Sequence, residues 1–157
     1  MNEKFVVGSL DYNESNLKKV SDCIRRNLTT DLLDKKAREE NLKRAGYGYC
    51  HMASAVLFLI FGDKQLRLQR KQDDNDIWHW WCEDCSTDEV IDLTSEQYKS
   101  FDYSASETHE ILGWRFDEQG NLKTNAYGAS YAKKVMTLYR LVTDDLQGKK
   151  GSLNDFM

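Results

Sequence analysis

The sequence contains no proline among its 157 residues. At a usual frequency of about 5%, a chain of this length would hold roughly eight. The absence excludes polyproline linkers, collagen-like repeats and any turn built on a cis-proline. No stretch approaches the ~18 consecutive apolar residues of a membrane helix, so no membrane partner is expected. The segment from Met1 to Ser15 lacks the long apolar core and cleavage site of a signal peptide, which points to a cytoplasmic protein. There Cys23, Cys50, Cys82 and Cys85 are expected as free thiols. An excess of positive charge is missing too. With a net charge of −4 and a pI near 5.4, no nucleic-acid partner is expected.

Aromatic side chains are plentiful: four Trp, eight Tyr and six Phe. Disordered chains lack such groups, so a packed core is expected. A chain of about 150 residues buries roughly 68–70% of its unfolded surface, enough for one self-sufficient domain. We assign that domain to residues 1–147 and a loose tail to 148–157. Charge is uneven. Residues 18–44 hold nine Lys/Arg against five acids, while 73–92 is acidic; both read as solvated surfaces.

Hydrophobic spacing outlines the elements. Asn13 can cap a helix with Leu17, Val20, Ile24 and Leu28 on one face. Thr30 or Asp31 can open a second, surface-lying helix reaching Arg44, broken by Gly46 and Gly48. Cys50 to Phe61 is almost wholly apolar; its length and its Ala, Met and Leu content predict a buried helix, stopped by Gly62. Leu66–Arg70 alternates like a strand. Ile77–Cys82 and Glu89–Leu93 read as two strands joined by the polar run 83–88. Thr94-Ser-Glu-Gln97 reads as a capping box opening a short helix. Ile111–Phe116 and 117–121 suggest a strand and a turn, and residues 129–146 a closing amphipathic helix. Helices, then strands, then a helix predict an α+β domain.

Three residues form a chemical set in this order. Cys50 heads the buried helix, His79 lies on the first hairpin strand and Asp92 on the second. A helix N-terminus supplies partial positive charge and free N–H groups that favour a thiolate. An imidazole can take the thiol proton, and a carboxylate can orient the ring and stabilise its charged form. Each residue also has a structural reading: Cys50 as a small core residue, His79 as a satisfied buried histidine, Asp92 as a cap for the segment after it. Tyr49, Trp80 and Trp81 flank the set and are the expected substrate-binding side chains.

The segment Gly48-Tyr-Cys50-His-Met-Ala-Ser-Ala resembles the nucleophile helix of the transglutaminase-like branch of the papain fold. His79-Trp-Trp81 and Val90-Ile-Asp92-Leu-Thr94 resemble that branch's strand histidine and strand aspartate. The pattern is closer still to small bacterial and phage proteins of the YunG-like type, with Asp92, Thr94, Gln97 and Tyr98 where that family's block has them. The likeness covers about residues 31 to 98. It implies a papain-like α+β core, with N-terminal helices and a buried nucleophile helix packed on a small antiparallel sheet, and a Cys50–His79–Asp92 triad. Two departures stand out. Leu93 occupies a position usually held by proline, and no glutamine precedes Cys50 to serve as an oxyanion donor. Backbone N–H groups, or the Trp80 or Trp81 indole, would have to serve instead.

The resemblance implies a cysteine hydrolase or acyltransferase working on an amide or thioester, with a peptide or protein as substrate and no cofactor. A catalytically degenerate binding protein on the same fold is the second expectation. A third is a zinc-stabilised module, since His79, Cys82 and Cys85 follow H-x2-C-x2-C spacing. Its second half would need Cys50 with His51, or Cys23 with His109, and neither has finger spacing. His79 and Cys82 would also point to opposite faces of a strand. No metal is therefore assigned, and Cys82 and Cys85 read as surface residues at a hairpin turn.

Overall fold

The computed structural model describes residues 10–33, 35–43, 48–108, 115–116, 118–119, 122–123 and 129–148. Its helices are α1 (Glu14–Arg26), α2 (Lys35–Lys43), α3 (Cys50–Phe61) and α4 (Ala129–Leu146). A four-stranded antiparallel sheet contains β1 (Leu66–Gln72), β2 (Trp78–Asp84), β3 (Val90–Ile91) and β4 (Glu107–Thr108) in the order β3-β2-β1-β4. A separate hairpin pairs β5 (Arg115–Phe116) with β6 (Leu122–Lys123). The α+β class is as expected. Ile111, in the expected strand, and the tail 149–157 lie outside the described residues.

The core forms around α3. All twelve of its residues are buried, because the sequence gives this helix no polar face. It is covered by α1 and α4 on one side and by β1 and β2 on the other. α1 begins as the spacing predicts: Asn13 Oδ1 accepts the Asn16 amide at 2.8 Å, and Val20, Cys23 and Ile24 turn inward. Its far end is tied to α4. Asn27 Nδ2 donates to Cys23 O and to Asp145 Oδ2, each at 2.8 Å, and Arg26 pairs with Asp145 at 2.9 Å. The single long helix expected after Thr30 is instead a short 3-10 turn, Thr30–Leu32, followed by α2. That turn buries Leu32 and Leu33 in the core. Burial of two adjacent leucines overrides a continuous helix, which would splay neighbouring side chains about 100° apart.

Strand β2 runs through the centre of the sheet, with Leu66 opposite Asp84 and Gln72 opposite Trp78 at the two ends of its pairing with β1. Alternation sorts its side chains. Trp80 and Cys82 face α3, where Trp80 packs edge-on against His51 and the Cys82 thiol donates to Ser54 O at 3.3 Å. His79 and Trp81 face the other side, under Phe101 and neighbouring aromatics. The stretch between β3 and β4 is held over that second face by β1. Lys71 Nζ donates to Asp102 O and Ser104 O, and Gln69 Nε2 donates to Ser106 Oγ.

Without proline, the bends are made by aspartate. Asp73, Asp84, Asp92 and Asp102 each accept the backbone N–H two residues on, from Asn75, Ser86, Thr94 and Ser104. This is the Asx turn, in which a side chain imitates the backbone oxygen of a tight turn. Asp84 goes further, accepting from Tyr12, the Ser86 hydroxyl and Thr87 as well. The Tyr12 bond, aided by those from Ser86 and Thr87, holds its carboxyl far below the usual range.

Gly48 sits just before α3 with φ +90°, and a Cβ there would come within 2.9 Å of Leu33 Cδ2. Both the left-handed backbone and the close approach require glycine. Gly48→Ala is therefore expected to lower stability by about 1–3 kcal/mol in urea unfolding. An unchanged midpoint would contradict this backbone.

Candidate functional site

The candidate residues converge at one end of the sheet, where β3 stops. β3 pairs with β2 only at Cys82 and Glu83, so among the described residues no strand lies along that edge of β2 from Trp78 to Trp81, opposite the edge paired with β1. The N-terminus of α3 fills that place. The Cys50 thiol donates to Trp78 O at 3.9 Å, and the Trp80 amide points back at the sulfur. These two backbone groups lie on the same edge of the strand, two residues apart. The thiol thus bridges them as a neighbouring strand would, and His79 lies between them.

His79 and Asp92 are brought together. His79 Nε2 and Asp92 Oδ2 are 2.7 Å apart, with side-chain exposures of 0% and 4%. Asp92 has no proton to give, so the hydrogen is on Nε2, and the amide nitrogen facing the other side of the ring makes Nδ1 the acceptor. The Gln97 amide nitrogen donates to Nδ1 at 3.2 Å. Around the ring stand Trp81, Tyr98 and Phe101, the latter two at centroid distances of 4.8 Å.

Asp92 serves two purposes with two oxygens. Oδ2 accepts from His79 and, at 2.6 Å, from the Tyr103 hydroxyl. Oδ1 accepts the Thr94 amide at 3.1 Å, closing the Asx turn. The capping and the histidine-orienting roles coexist because each uses its own oxygen. Burial alone would raise the Asp92 carboxyl, but the hydrogen bonds from His79, Tyr103 and Thr94 hold it below its usual value.

Cys50 differs from an activated thiol. It is almost wholly buried, and burial pushes the thiol up to about 11 despite amides of Trp80, His51 and Cys50 that favour the thiolate. Its hydrogen bond goes to Trp78 O, while His79 uses both ring nitrogens on Asp92 and Gln97. The amides facing the sulfur are backbone N–H groups, the kind of donor the sequence leaves available in place of a glutamine before Cys50.

The expected substrate-binding residues are all buried: Tyr49, Trp80 and Trp81. Trp80 packs on His51, and Trp81 packs on Phe101 and Tyr103 while its indole donates to Glu83. The accessible surface near His79 is instead a cleft whose walls include Lys71, Asp73, Tyr98, Phe101 and Asp102. Sequence reading missed Phe101 and Tyr103, which belong to no periodic element. Gln97 was visible as part of the expected capping box and of the block that carries the resemblance, with neither pointing to a contact with His79. That box does not form: Ser95–Gln97 is a 3-10 turn without a side-chain cap, and Gln97 turns inward to His79.

The zinc arrangement does not assemble. Cys82 is fully buried rather than at the surface, and it faces α3, on the opposite side of β2 from His79. Cys85 is half-buried and its thiol donates to Asp63 O at 3.8 Å. Both were expected at the surface; the apolar contact of β2 with α3 carries Cys82 inside. Among the described residues no group of three His, Cys, Asp or Glu side chains could hold a metal ion, and His109 lies outside them. Among the described residues no helix is long and apolar enough to cross a membrane. Compared with protein-family models, curated proteins and solved structures, the chain has no match in any of the three.

The sign of the Asp92 shift sets a pH dependence. A carboxyl lowered in the folded state adds stability above its unfolded value, 3.8, and loses it as pH falls through the lower folded value. Asp92→Asn is expected to unfold more readily at pH 7 and to show a smaller further loss below pH ~4 than the parent. Denaturant midpoints measured at both pH values check this. Parallel acid losses in the two proteins would count against it.

Proposed function

We propose that this protein is a cysteine hydrolase or acyltransferase of papain-like, transglutaminase-like type, acting on an amide or thioester of a peptide or protein. Cys50 is the nucleophile, His79 the general base and acid, and Asp92 the orienting residue. The observation that carries the reading is the buried 2.7 Å contact between His79 and Asp92, at the strand position flanked by the two backbone groups that hold the Cys50 thiol.

The chemistry follows from the tautomer. With its Nε2 hydrogen on Asp92, His79 offers Nδ1 as the proton acceptor. The thiol proton moves to Nδ1, and the amides of Trp80, His51 and Cys50 stabilise the thiolate that burial disfavours. The sulfur attacks the acyl carbon. The leaving amine or thiol departs with the proton from His79, and a Cys50 thioester remains. Water, or an acceptor amine in the transferase case, then gives its proton to His79 and takes the acyl group. The proton returns to sulfur and the resting thiol is restored. Asp92 stays ionised throughout and holds the imidazolium in place.

A second reading has its own support: a binding protein on the same framework. It is favoured by the neutral, buried thiol and by Gln97 on the nitrogen that catalysis needs.

Iodoacetamide labelling of Cys50 at pH 7, resolved peptide by peptide from the other thiols, separates the two. The catalytic reading expects His79→Gln to slow labelling at least tenfold, the low end of a general-base contribution being larger still. It also expects a Cys50 acyl adduct by intact mass after exposure to a simple thioester. Equal labelling rates with and without His79, and no adduct, would leave the binding reading.

A further inference from the structure

Gln97 is buried, 5% exposed, and its side chain is asymmetrically satisfied. Its amide nitrogen donates to His79 Nδ1 at 3.2 Å and is turned toward the Tyr98 hydroxyl oxygen, whose own hydrogen goes to Asp73 Oδ2 at 2.6 Å. Its Oε1 has no hydrogen-bond partner. A buried amide oxygen without a partner costs about 1–3 kcal/mol. The orientation is nevertheless dictated by its neighbours. Nδ1 is an acceptor while Nε2 donates to Asp92, and the Tyr98 oxygen has already given its hydrogen to Asp73. Turning the amide over would set an oxygen against two acceptors. The donors therefore run outward from the Gln97 amide, through His79 to Asp92 on one side and toward Tyr98 and Asp73 on the other, and Tyr103 donates to Asp92 from the far end.

The Gln97 amide covers the lone pair which must accept the thiol proton. We infer that Gln97 is a positioning residue that locks His79 in its resting tautomer and masks Nδ1, so that Cys50 is activated only after the Gln97 amide moves away. The orphaned Oε1 is what makes the lock weak: the amide gives up donors when it leaves, but no acceptor bond. The release route is set by the fold. Tyr98 and Asp73, the outer links, are walls of the cleft, so a ligand that takes the Tyr98 hydroxyl or the Asp73 carboxylate removes the support that fixes the amide. This inference rests on the catalytic reading of Cys50 and His79, and it adds the condition under which that pair works.

The test uses Gln97→Met, which keeps length and removes the amide. Cys50 labelling by iodoacetamide at pH 7 is expected to rise roughly threefold to tenfold, the scale of one lost hydrogen bond. The gain should vanish in the double variant His79→Gln, Gln97→Met. The His79 Nδ1 resonance in 15N spectra should move toward that of a free imine nitrogen. A gain that persists without His79 would reveal mere loosening of the core and overturn the inference. An unchanged rate and an unchanged Nδ1 resonance would overturn it too, while a slowed His79→Gln left the catalytic reading standing. If His79→Gln has no effect on labelling, the catalytic reading fails and the lock has nothing to restrain, even where the Nδ1 resonance moves in Gln97→Met. The wild-type spectrum is independent of how well the variant folds: a free Nδ1 there would also overturn the inference.

Discussion

A helix with no polar face has to be covered on every side, and α3 has none. That requirement organises the molecule. It brings α1 and α4 together across the chain, sealed by Arg26, Asn27 and Asp145, and it draws the sheet onto the opposite flank. It also decides which face of β2 is interior, since Trp80 and Cys82 must pack on the helix. With the register fixed by that face, His79 has to look the other way. The thiol at the helix start is then held at the strand's edge, by backbone groups on either side of His79.

The edge is short because β3 is short. Had β3 continued, its backbone would occupy the groups on Trp78 and Trp80 that now hold the Cys50 sulfur. The chain leaves the strand at Asp92 instead, and the carboxylate that starts the turn is the one that meets His79. Leu93 explains part of this exit. It is buried in the core and its carbonyl accepts from Arg25. This chain, without proline, anchors the position after Asp92 by apolar burial and a bond to α1.

Much of this was legible in the sequence. The apolar run of α3, the Asn13 cap and the central strands follow from periodicity and capping chemistry, which act locally. The nearness of His79 and Asp92 was legible from the two neighbouring segments, although Asp92 falls just past the end of β3, on the turn that leaves it, rather than on the strand. The parts that were not legible depend on contacts distant in the chain. Gln97 sits at the last position of a sequence that reads as a capping box, but its amide finds a buried imidazole instead of a helix N-terminus. Tyr49, Trp80 and Trp81 read as substrate-binding residues from their position near Cys50, His79 and Asp92. Trp80 is buried against His51 of α3 and Trp81 against Phe101, Tyr49 is buried as well, and Tyr98 and Phe101 line the cleft. Aromatic identity alone does not say which ring will face water.

The aspartate turns carry a consequence for how the chain reaches this structure. Proline stiffens a turn before folding, because it narrows the unfolded ensemble as well as the native one. Aspartate acts only once the turn has closed and its oxygen meets the amide two residues on. The four turns at Asp73, Asp84, Asp92 and Asp102 thus cost their full ordering entropy at folding. In exchange the chain has no X–Pro bond to isomerise, a process that takes tens of seconds and often sets the pace of refolding. The His79–Asp92 contact, seated on one of these turns, can form as fast as the sheet itself.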